Sequence, residues 1–248
     1  MIYTTIGLIV GMTMGLTGAG GALISIPLFI NLLDTSLKDA TVLSLVAVLF
    51  GTAINLFGQF SKVNIKIAMT LSAAGIVANY LSLSMKSGTP EIVIAALLTV
   101  IGIYSIVSVW GKNKTSSIVE KDSQVVTKAL IAGAFSGLMT TLTGLGGGVI
   151  LVPILIKFFG KNYKEALPTS LATILLISLS AFMFQSKVAL GLIAIPQLLM
   201  IGGGAILAFL LLKVLLRKLS EVKVLQIRRI VFTLVTVYSV VSVIIKAM

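Results

Sequence analysis

The sequence predicts an all-α polytopic membrane protein of about eight helical segments, arranged as two inverted four-segment repeats. Three observations support this prediction: a composition too apolar for a water-facing surface, a series of long apolar runs, and a duplication that relates the two halves of the chain. The first segment of each repeat is expected to be broken or re-entrant at a cluster of glycines.

The composition indicates that lipid, and not water, surrounds most of this chain. Of its 248 residues, 58% are hydrophobic and 10% are charged, whereas soluble globular chains are about 45–50% apolar and about 25% charged. The sequence contains neither Cys nor His, which excludes disulfides, zinc fingers, Cys/His nucleophiles and imidazole acid–base chemistry. We therefore expect no enzyme activity, no cofactor and no metal. We interpret the net charge of +12 as membrane topology, not as a nucleic-acid surface.

Eight apolar runs follow one another along the chain. A helix that crosses a bilayer core needs about 20 residues, and six of the runs fit one crossing each. The first and fifth runs, of 33 and 31 residues, are too long for one crossing and too short for two. The runs are Met1–Leu33, Ala40–Phe60, Ile67–Met85, Ile92–Trp110, Ala129–Phe159, Ala166–Phe184, Val188–Leu212 and Ile230–Ile245.

The two halves of the chain are copies of one unit. When each residue is aligned with the residue 126 positions later, nine of the 23 positions from Ile6 to Leu28 are identical. The same offset relates Ser44 to Ser170. We therefore divide the chain into a first transmembrane repeat (residues 1–110), a cytoplasmic linker (residues 111–128) and a second transmembrane repeat (residues 129–248), which together form one transport domain.

Positive charges predict how the repeats sit in the membrane, because short cytoplasmic loops carry the excess of Lys and Arg. If every segment crossed once, eight of the 19 basic residues would lie on one side and eleven on the other. If the first segment of each repeat returns to its own side, four lie on one side and fifteen on the other. The second arrangement has the expected bias and makes the repeats an inverted pair. It predicts a multi-pass protein of the cytoplasmic membrane with both termini external.

The centre of each long segment carries a glycine cluster: residues 17–22 read TGAGGA and residues 143–148 read TGLGGG. Each glycine weakens a helix by about 1 kcal/mol relative to Ala and permits the positive φ angles of a reversal. Irregular backbone at membrane depth is tolerated only where protein or a water-filled cavity surrounds it. The two breaks should therefore meet inside the protein, where each exposes the N-terminus of a half-helix whose amides and dipole attract anions.

The candidate binding residues surround these two breaks. Glycine amides allow a ligand to approach closely, and Thr and Ser hydroxyls can cap the half-helices or donate to a ligand. We expect moderate affinity, because we expect no buried Lys or Arg at the site. A structural reversal without ligand contact is the alternative interpretation of the same glycines. The candidates are Thr17, Gly18, Gly20, Gly21, Ser44, Thr143, Gly144, Gly146, Gly147, Gly148, Thr169 and Ser170.

Prolines and further glycines have expected structural roles. Pro27 and Pro153 are candidate hinges: within a helix, they release the carbonyls four residues earlier and kink the returning arms. Gly7, Gly11 and Gly15, spaced by four residues, form a small-residue stripe that we expect to serve close helix packing.

Two stretches resemble a known family. Residues 20–27 (GGALISIP) and 146–153 (GGGVILVP) each contain a glycine-rich triplet, four further residues and then a proline. This pair resembles the signature of the TauE/SafE family of membrane transporters, also called the toluene sulfonate uptake permease family, and residues 40–45 and 166–171 look like that family's next motif. The resemblance implies transport of sulfite, sulfoacetate or other sulfonates across the prokaryotic cytoplasmic membrane. The first copy has Ala22 where the second has Gly148.

The residues and the resemblance together predict a secondary transporter, acting as an exporter, of a small sulfur-containing or organic anion by alternating access. An anion channel or facilitator is the first alternative, and a non-transporting membrane scaffold is the second. No Asp, Glu or His lies within an apolar run, so the membrane potential is the expected driving force. The expected partners are the anionic substrate and the lipid bilayer, without nucleic acid; no oligomeric state is predicted.

The predicted orientation is testable with a topology reporter. We expect a reporter fused after Met248 to be active only outside the cytoplasm, because the inverted arrangement places the C-terminus on the side with few basic residues. A reporter that is active only in the cytoplasm would contradict this orientation.

Overall fold

The computed structural model describes residues 1–17, 21–110, 122–216 and 221–247, which are helical apart from short connections and contain no β-strand. The α-helices in these ranges are α1 (Ile2–Thr17), α2 (Gly21–Leu33), α3 (Leu37–Leu56), α4 (Ile65–Gly88), α5 (Glu91–Trp110), α6 (Asp122–Thr143), α7 (Gly148–Phe159), α8 (Tyr163–Phe184), α9 (Ser186–Leu192), α10 (Ile195–Leu216) and α11 (Glu221–Ala247). Most of the expected linker, residues 111–121, lies outside these ranges.

Seven helices in the described ranges are long and apolar enough to cross a membrane: α3, α4, α5, α6, α8, α10 and α11. The prediction of an all-α polytopic membrane protein is therefore confirmed. The two overlong runs become the helix pairs α1–α2 and α6–α7. The seventh run differs from the expected single segment, because it begins with the short helix α9. The chain then restarts as α10 with Pro196 in the first turn, where a missing amide costs no intrahelical hydrogen bond.

Side-chain caps set the start of three spanning helices. Ser36, Asn64 and Asn162 precede α3, α4 and α8, and each accepts a hydrogen bond from the backbone amide three residues later. Such a cap satisfies one of the four amides that a helix N-terminus leaves unpaired. The equivalent helices α3 and α8 therefore begin in the same way in both halves.

Helices from opposite halves pack in matched pairs. α1 packs along α10, and its counterpart α6 packs along α4. α3 packs on α8, and α5 packs on α11, so these contacts join equivalent segments of the two halves. Among the spanning helices described, α3 and α8 have the largest buried share. The centre of the molecule therefore lies where α3 and α8 meet. The inverted relation of the repeats stays a prediction that this exchange of partners supports.

Three hydrogen-bonded pairs show which segment ends lie at the same end of the bundle. The single-crossing arrangement would separate the partners of each pair across the membrane, whereas the re-entrant arrangement keeps them together. These contacts therefore favour the re-entrant arrangement. The pairs are Lys246 with Asp34 (3.0 Å), Lys86 with Gln185 (2.9 Å) and Asn64 with Thr169 (3.0 Å).

The glycine stripe of α1 lies directly on the backbone of α10. A Cβ atom at Gly7 would lie 2.2 Å from the carbonyl oxygen of Ile201, and one at Gly11 would lie 2.3 Å from that of Ala205. Their counterparts on α6, at residues 133 and 137, approach the backbone of α4 in the same way. The packing interpretation of this stripe is confirmed, because only glycine permits such a close approach.

We expect Gly11→Leu to lower the yield of folded protein severalfold. The new side chain must displace the α10 backbone, and overpacking of this kind costs about 1–3 kcal/mol or more. The measurement is the monodisperse fraction of detergent-extracted protein in size-exclusion chromatography. Gly203→Leu is the matched control, because nothing lies within 4 Å of a Cβ atom at Gly203. Equal yields of the two variants would contradict the packing role of the stripe.

Candidate functional site

A sharp break separates α6 from α7 inside the protein. α6 ends at Thr143 and α7 begins at Gly148, and the chain between them is buried. Gly144, Gly146 and Gly147 have φ angles of 68°, 67° and 68°, a left-handed conformation that side chains disfavour. The glycine cluster therefore produces the predicted reversal in the second half.

The corresponding break in the first half falls between α1 and α2. Two of its predicted binding residues, Gly18 and Gly20, lie outside the residues that the structure describes. Thr17 ends α1 and Gly21 begins α2, and their side-chain surroundings are also outside the description. The geometry of the site therefore comes from the α6–α7 break.

Ser44 holds this break in place. Its Oγ donates toward the carbonyl oxygens of Gly144 (2.9 Å) and Thr41 (2.8 Å). A Cβ atom at Gly144 would lie 2.2 Å from both Ser44 Oγ and the Thr41 carbonyl oxygen, so the loop packs tightly on α3. Thr143 Oγ1 donates to the Met139 carbonyl oxygen of its own helix (2.6 Å). In this arrangement both hydroxyl protons serve the protein's own carbonyls.

Two other serine hydroxyls face the break without a hydrogen-bond partner among the described residues. They are the Oγ atoms of Ser136 on α6 and Ser178 on α8, and both residues are fully buried. A Cβ atom at Gly147 would lie 2.0 Å from Ser136 Oγ, and one at Gly146 would lie 2.9 Å from Ser178 Oγ. A buried hydroxyl without a partner is costly and calls for an explanation.

The N-terminus of α7 adds donors at the same place. Gly147 is its N-cap and forms no side-chain capping bond, while its carbonyl oxygen accepts from the amides of Ile150 (3.1 Å) and Leu151 (3.0 Å). The first amides of a helix have no intrahelical acceptor, and the helix dipole makes this end positive. Amides and hydroxyls therefore converge on the buried break, an arrangement suited to an anion.

Sequence reasoning did not single out Ser136 or Ser178. Ser136 lies seven residues before Thr143, so two helical turns place both residues on one face of α6. This spacing is the signal that was available for Ser136. Ser178 lies against the loop only because α8 packs there, and no sequence spacing indicates that contact.

Two predicted residues form hydrogen bonds outside the α6–α7 break. Thr169 Oγ1 accepts from the Asn64 amide (3.0 Å), and Ser170 Oγ donates to the Leu167 carbonyl oxygen (2.8 Å). Both residues lie nearer the start of α8 than Ile174, which borders the break. The described contacts join Ser44 and Thr143 to the break, and the binding role of Thr169 and Ser170 stays a prediction.

Both predicted hinge prolines lie inside helices, Pro27 in α2 and Pro153 in α7. Proline at position 27 leaves the Leu23 carbonyl without its helical donor. Ser239 Oγ on α11 donates to that carbonyl oxygen, so a neighbouring helix pairs the group that proline releases.

Lys86 corrects the expectation that no basic residue is buried near the site. The apolar run ends at Met85, but α4 continues to Gly88, so Lys86 lies in its last turn and is only 7% exposed. Its ammonium donates to Thr41 Oγ1 (2.8 Å) and to Gln185 Oε1 (2.9 Å). Sequence reasoning left Lys86 just outside the apolar run that ends at Met85, because the local pattern does not show that α3 and α8 cover this end of α4.

Asn79 ties three helices together beside the break. Its Nδ2 donates to the Ile177 carbonyl oxygen and to Ser180 Oγ on α8, each at 2.8 Å. Thr141 Oγ1, just before the end of α6, donates to Asn79 Oδ1 (2.8 Å). This fully buried amide therefore fixes the end of α6 against both α4 and α8.

The fold and the site together define a membrane transport protein, since apolar spanning helices enclose a helix break with buried polar donors. The sulfite exporter TauE/SafE family model matches residues 3–242, so the chain belongs to this family. The resemblance noted in the sequence is thereby confirmed. A probable membrane transporter protein of Methanocaldococcus jannaschii is 25% identical over 159 residues, which are 60% of this chain. The match spans 59% of that relative's length.

We expect Asn79→Leu to lower the thermal unfolding temperature in detergent. The change removes the bonds of the Asn79 side chain to Thr141 Oγ1, the Ile177 carbonyl oxygen and Ser180 Oγ, and interhelical hydrogen bonds in membrane proteins contribute about 0.6–1.7 kcal/mol. Asn55→Leu is the matched control, because the Asn55 amide bonds only to Gly51 within its own helix. A larger loss of stability in Asn55→Leu would contradict the bridging role of Asn79.

Proposed function

We propose that the protein is a secondary transporter that exports a small sulfur-containing or organic anion, such as sulfite or a sulfonate, across the cytoplasmic membrane. The main support is the N-terminus of α7 beside the hydroxyls of Ser136 and Ser178, which have no hydrogen-bond partner among the described residues. The family supplies the transport class and, through its description, the proposed substrate chemistry.

In this proposal, the anion lies at the α6–α7 break. The amides of Gly146, Gly147 and Gly148 donate to its oxygens, together with the hydroxyls of Ser136 and Ser178. Ser44 and Thr143 position the loop through their bonds to the protein's own carbonyls. Five donors at one helix break suit an oxyanion with several oxygens better than a halide. The break at residues 17–21 supplies the other half of the site in the proposed inverted arrangement.

Alternating access is proposed because the break lies between the halves. Gly146 borders Val48 on α3 and Ile174 on α8, and these two residues are equivalent positions of the repeats, 126 residues apart. Rocking of one repeat against the other would therefore change which side of the membrane reaches the α7 N-terminus. Such a movement is the carrier mechanism proposed here.

Export is proposed on energetic grounds. A membrane potential is worth about 2.3 kcal/mol per charge per 100 mV, which corresponds to roughly fiftyfold accumulation of a monovalent anion on the positive side. The apolar runs contain no acidic residue or His to relay protons. In a cell with a negative interior, the potential alone would drive an anion outward, with both termini of the protein external.

The test is uptake of labelled sulfite and methanesulfonate by proteoliposomes, with and without an imposed potential. We expect saturable, voltage-dependent flux with counterflow. A flux without saturation or counterflow would indicate a channel, and the absence of any flux would contradict the proposal.

We expect Gly147→Leu to reduce this flux to that of empty liposomes while the protein still inserts. Leucine is strained at a φ of 68°, and its Cβ atom would overlap Ser136 Oγ. Normal transport by Gly147→Leu would refute the amide site.

We expect Ser136→Ala to weaken the apparent affinity for the transported anion roughly tenfold, since a hydrogen bond to a charged group contributes about 1.5–3 kcal/mol. Ser105→Ala is the control for this change, because Ser105 bonds within its own helix.

A further inference from the structure

A buried ammonium without a carboxylate partner lies close to the proposed anion site. Lys86 Nζ has three donors, and the structure pairs it with two neutral oxygens, Thr41 Oγ1 and Gln185 Oε1. Within the described ranges, no carboxylate forms an ion pair with it. Lys38 and Asp39 are the charged groups that act on it through space, with opposite signs, and the Asp39 carboxylate accepts a hydrogen bond from Ser36 (2.7 Å).

Removing a charge from water is expensive, and buried charges are normally paired. Within membrane segments, such groups commonly mark the path of a charged substrate. Two neutral acceptors compensate a buried ammonium only in part, since hydrogen bonds between two ionised groups are shorter and stronger than those to neutral oxygens. An anion is therefore the partner that this site is best suited to receive.

Lys86 is linked to the α6–α7 break through α3. Thr41 Oγ1 accepts from the ammonium, while the Thr41 carbonyl oxygen accepts from Ser44, which also donates toward Gly144. Two residues of α3, Thr41 and Ser44, therefore join the charge to the loop. The ammonium also links the two halves of the chain, because Thr41 belongs to the first half and Gln185 to the second.

We propose that Lys86 is a specificity-determining residue that exchanges its bonds to Thr41 and Gln185 for bonds to the oxygens of the transported anion. This inference rests on the proposed function and adds the charge that the amides and hydroxyls lack. Anion binding then releases a link between the two halves at this end of the bundle. Occupancy of the site is thereby coupled to the movement of the repeats.

An ammonium in contact with the ligand makes a specific prediction about selectivity. Neutral donors discriminate mainly by shape, whereas an ammonium favours a divalent anion over a monovalent one of similar size. Sulfate, methanesulfonate and dimethyl sulfone share a sulfur centre and carry two, one and no negative charges. Their relative affinities therefore report whether Lys86 contacts the ligand.

The experiment measures binding of these three probes to the purified full chain in lipid nanodiscs. We expect Lys86→Gln to weaken sulfate binding at least roughly tenfold, methanesulfonate binding less, and dimethyl sulfone binding not at all. Lys86→Arg should retain most of the sulfate affinity, because it retains the charge. Lys187→Gln is the matched control, since it removes an exposed charge two residues from Gln185.

Thr41→Val separates contact with the anion from a purely structural bridge. It removes one acceptor of the ammonium and keeps the charge, so we expect lower thermal stability without ligand but sulfate binding at least as tight as in the wild type. If Lys86 only bridges helices, Lys86→Gln will lower stability and leave the ratio of sulfate to methanesulfonate affinity unchanged. That unchanged ratio, or loss of sulfate binding in Thr41→Val, would overturn the assignment of Lys86.

The same experiment distinguishes this inference from the proposed function. If the wild-type protein binds neither sulfate nor methanesulfonate, and shows no anion flux, the proposed function fails and the role of Lys86 fails with it. If the wild-type protein binds both anions and Lys86→Gln binds them with the wild-type ratio, only the role of Lys86 fails.

Discussion

The structure depends on one constraint: a helix can be interrupted inside a membrane only where protein surrounds the exposed backbone. The α6–α7 break meets this constraint because α3 and α8, the most buried spanning helices described, enclose it. Three left-handed glycines make the reversal, and Ser44 fixes it through the Gly144 carbonyl oxygen. The first amides of α7 have no acceptor within their own helix, and in the proposed function a ligand satisfies them.

Polar contacts around the break divide into those that are satisfied within the protein and those that are not. Ser44 and Asn79 bond to neighbouring helices and give the break a fixed position. Ser136 and Ser178 have no partner in the described part of the chain, and the Lys86 ammonium has only neutral acceptors. The residues whose hydrogen bonds are satisfied hold the break in position, and the residues without such partners are the proposed ligand contacts.

Much of the fold could be predicted from the sequence, because its causes are local. Apolar runs of membrane-crossing length identify the spans, and clustered glycines identify the α6–α7 reversal. The duplication is matched in the structure by equivalent contacts, as the pairing of α1 with α10 and of α6 with α4 illustrates. The short helix α9 was missed, since most of it lies within a run whose apolar character is continuous.

The sequence by itself determined the membrane setting, the position of the second break and the glycine stripe of α1, since each depends on residue type and spacing along one segment. Only the tertiary structure decided which polar groups meet. It brought Ser178 to the break, paired Thr169 with the Asn64 amide, and buried Lys86 between Thr41 and Gln185. These contacts join residues far apart in the chain, and they depend on how α3, α4 and α8 pack, which no local pattern encodes.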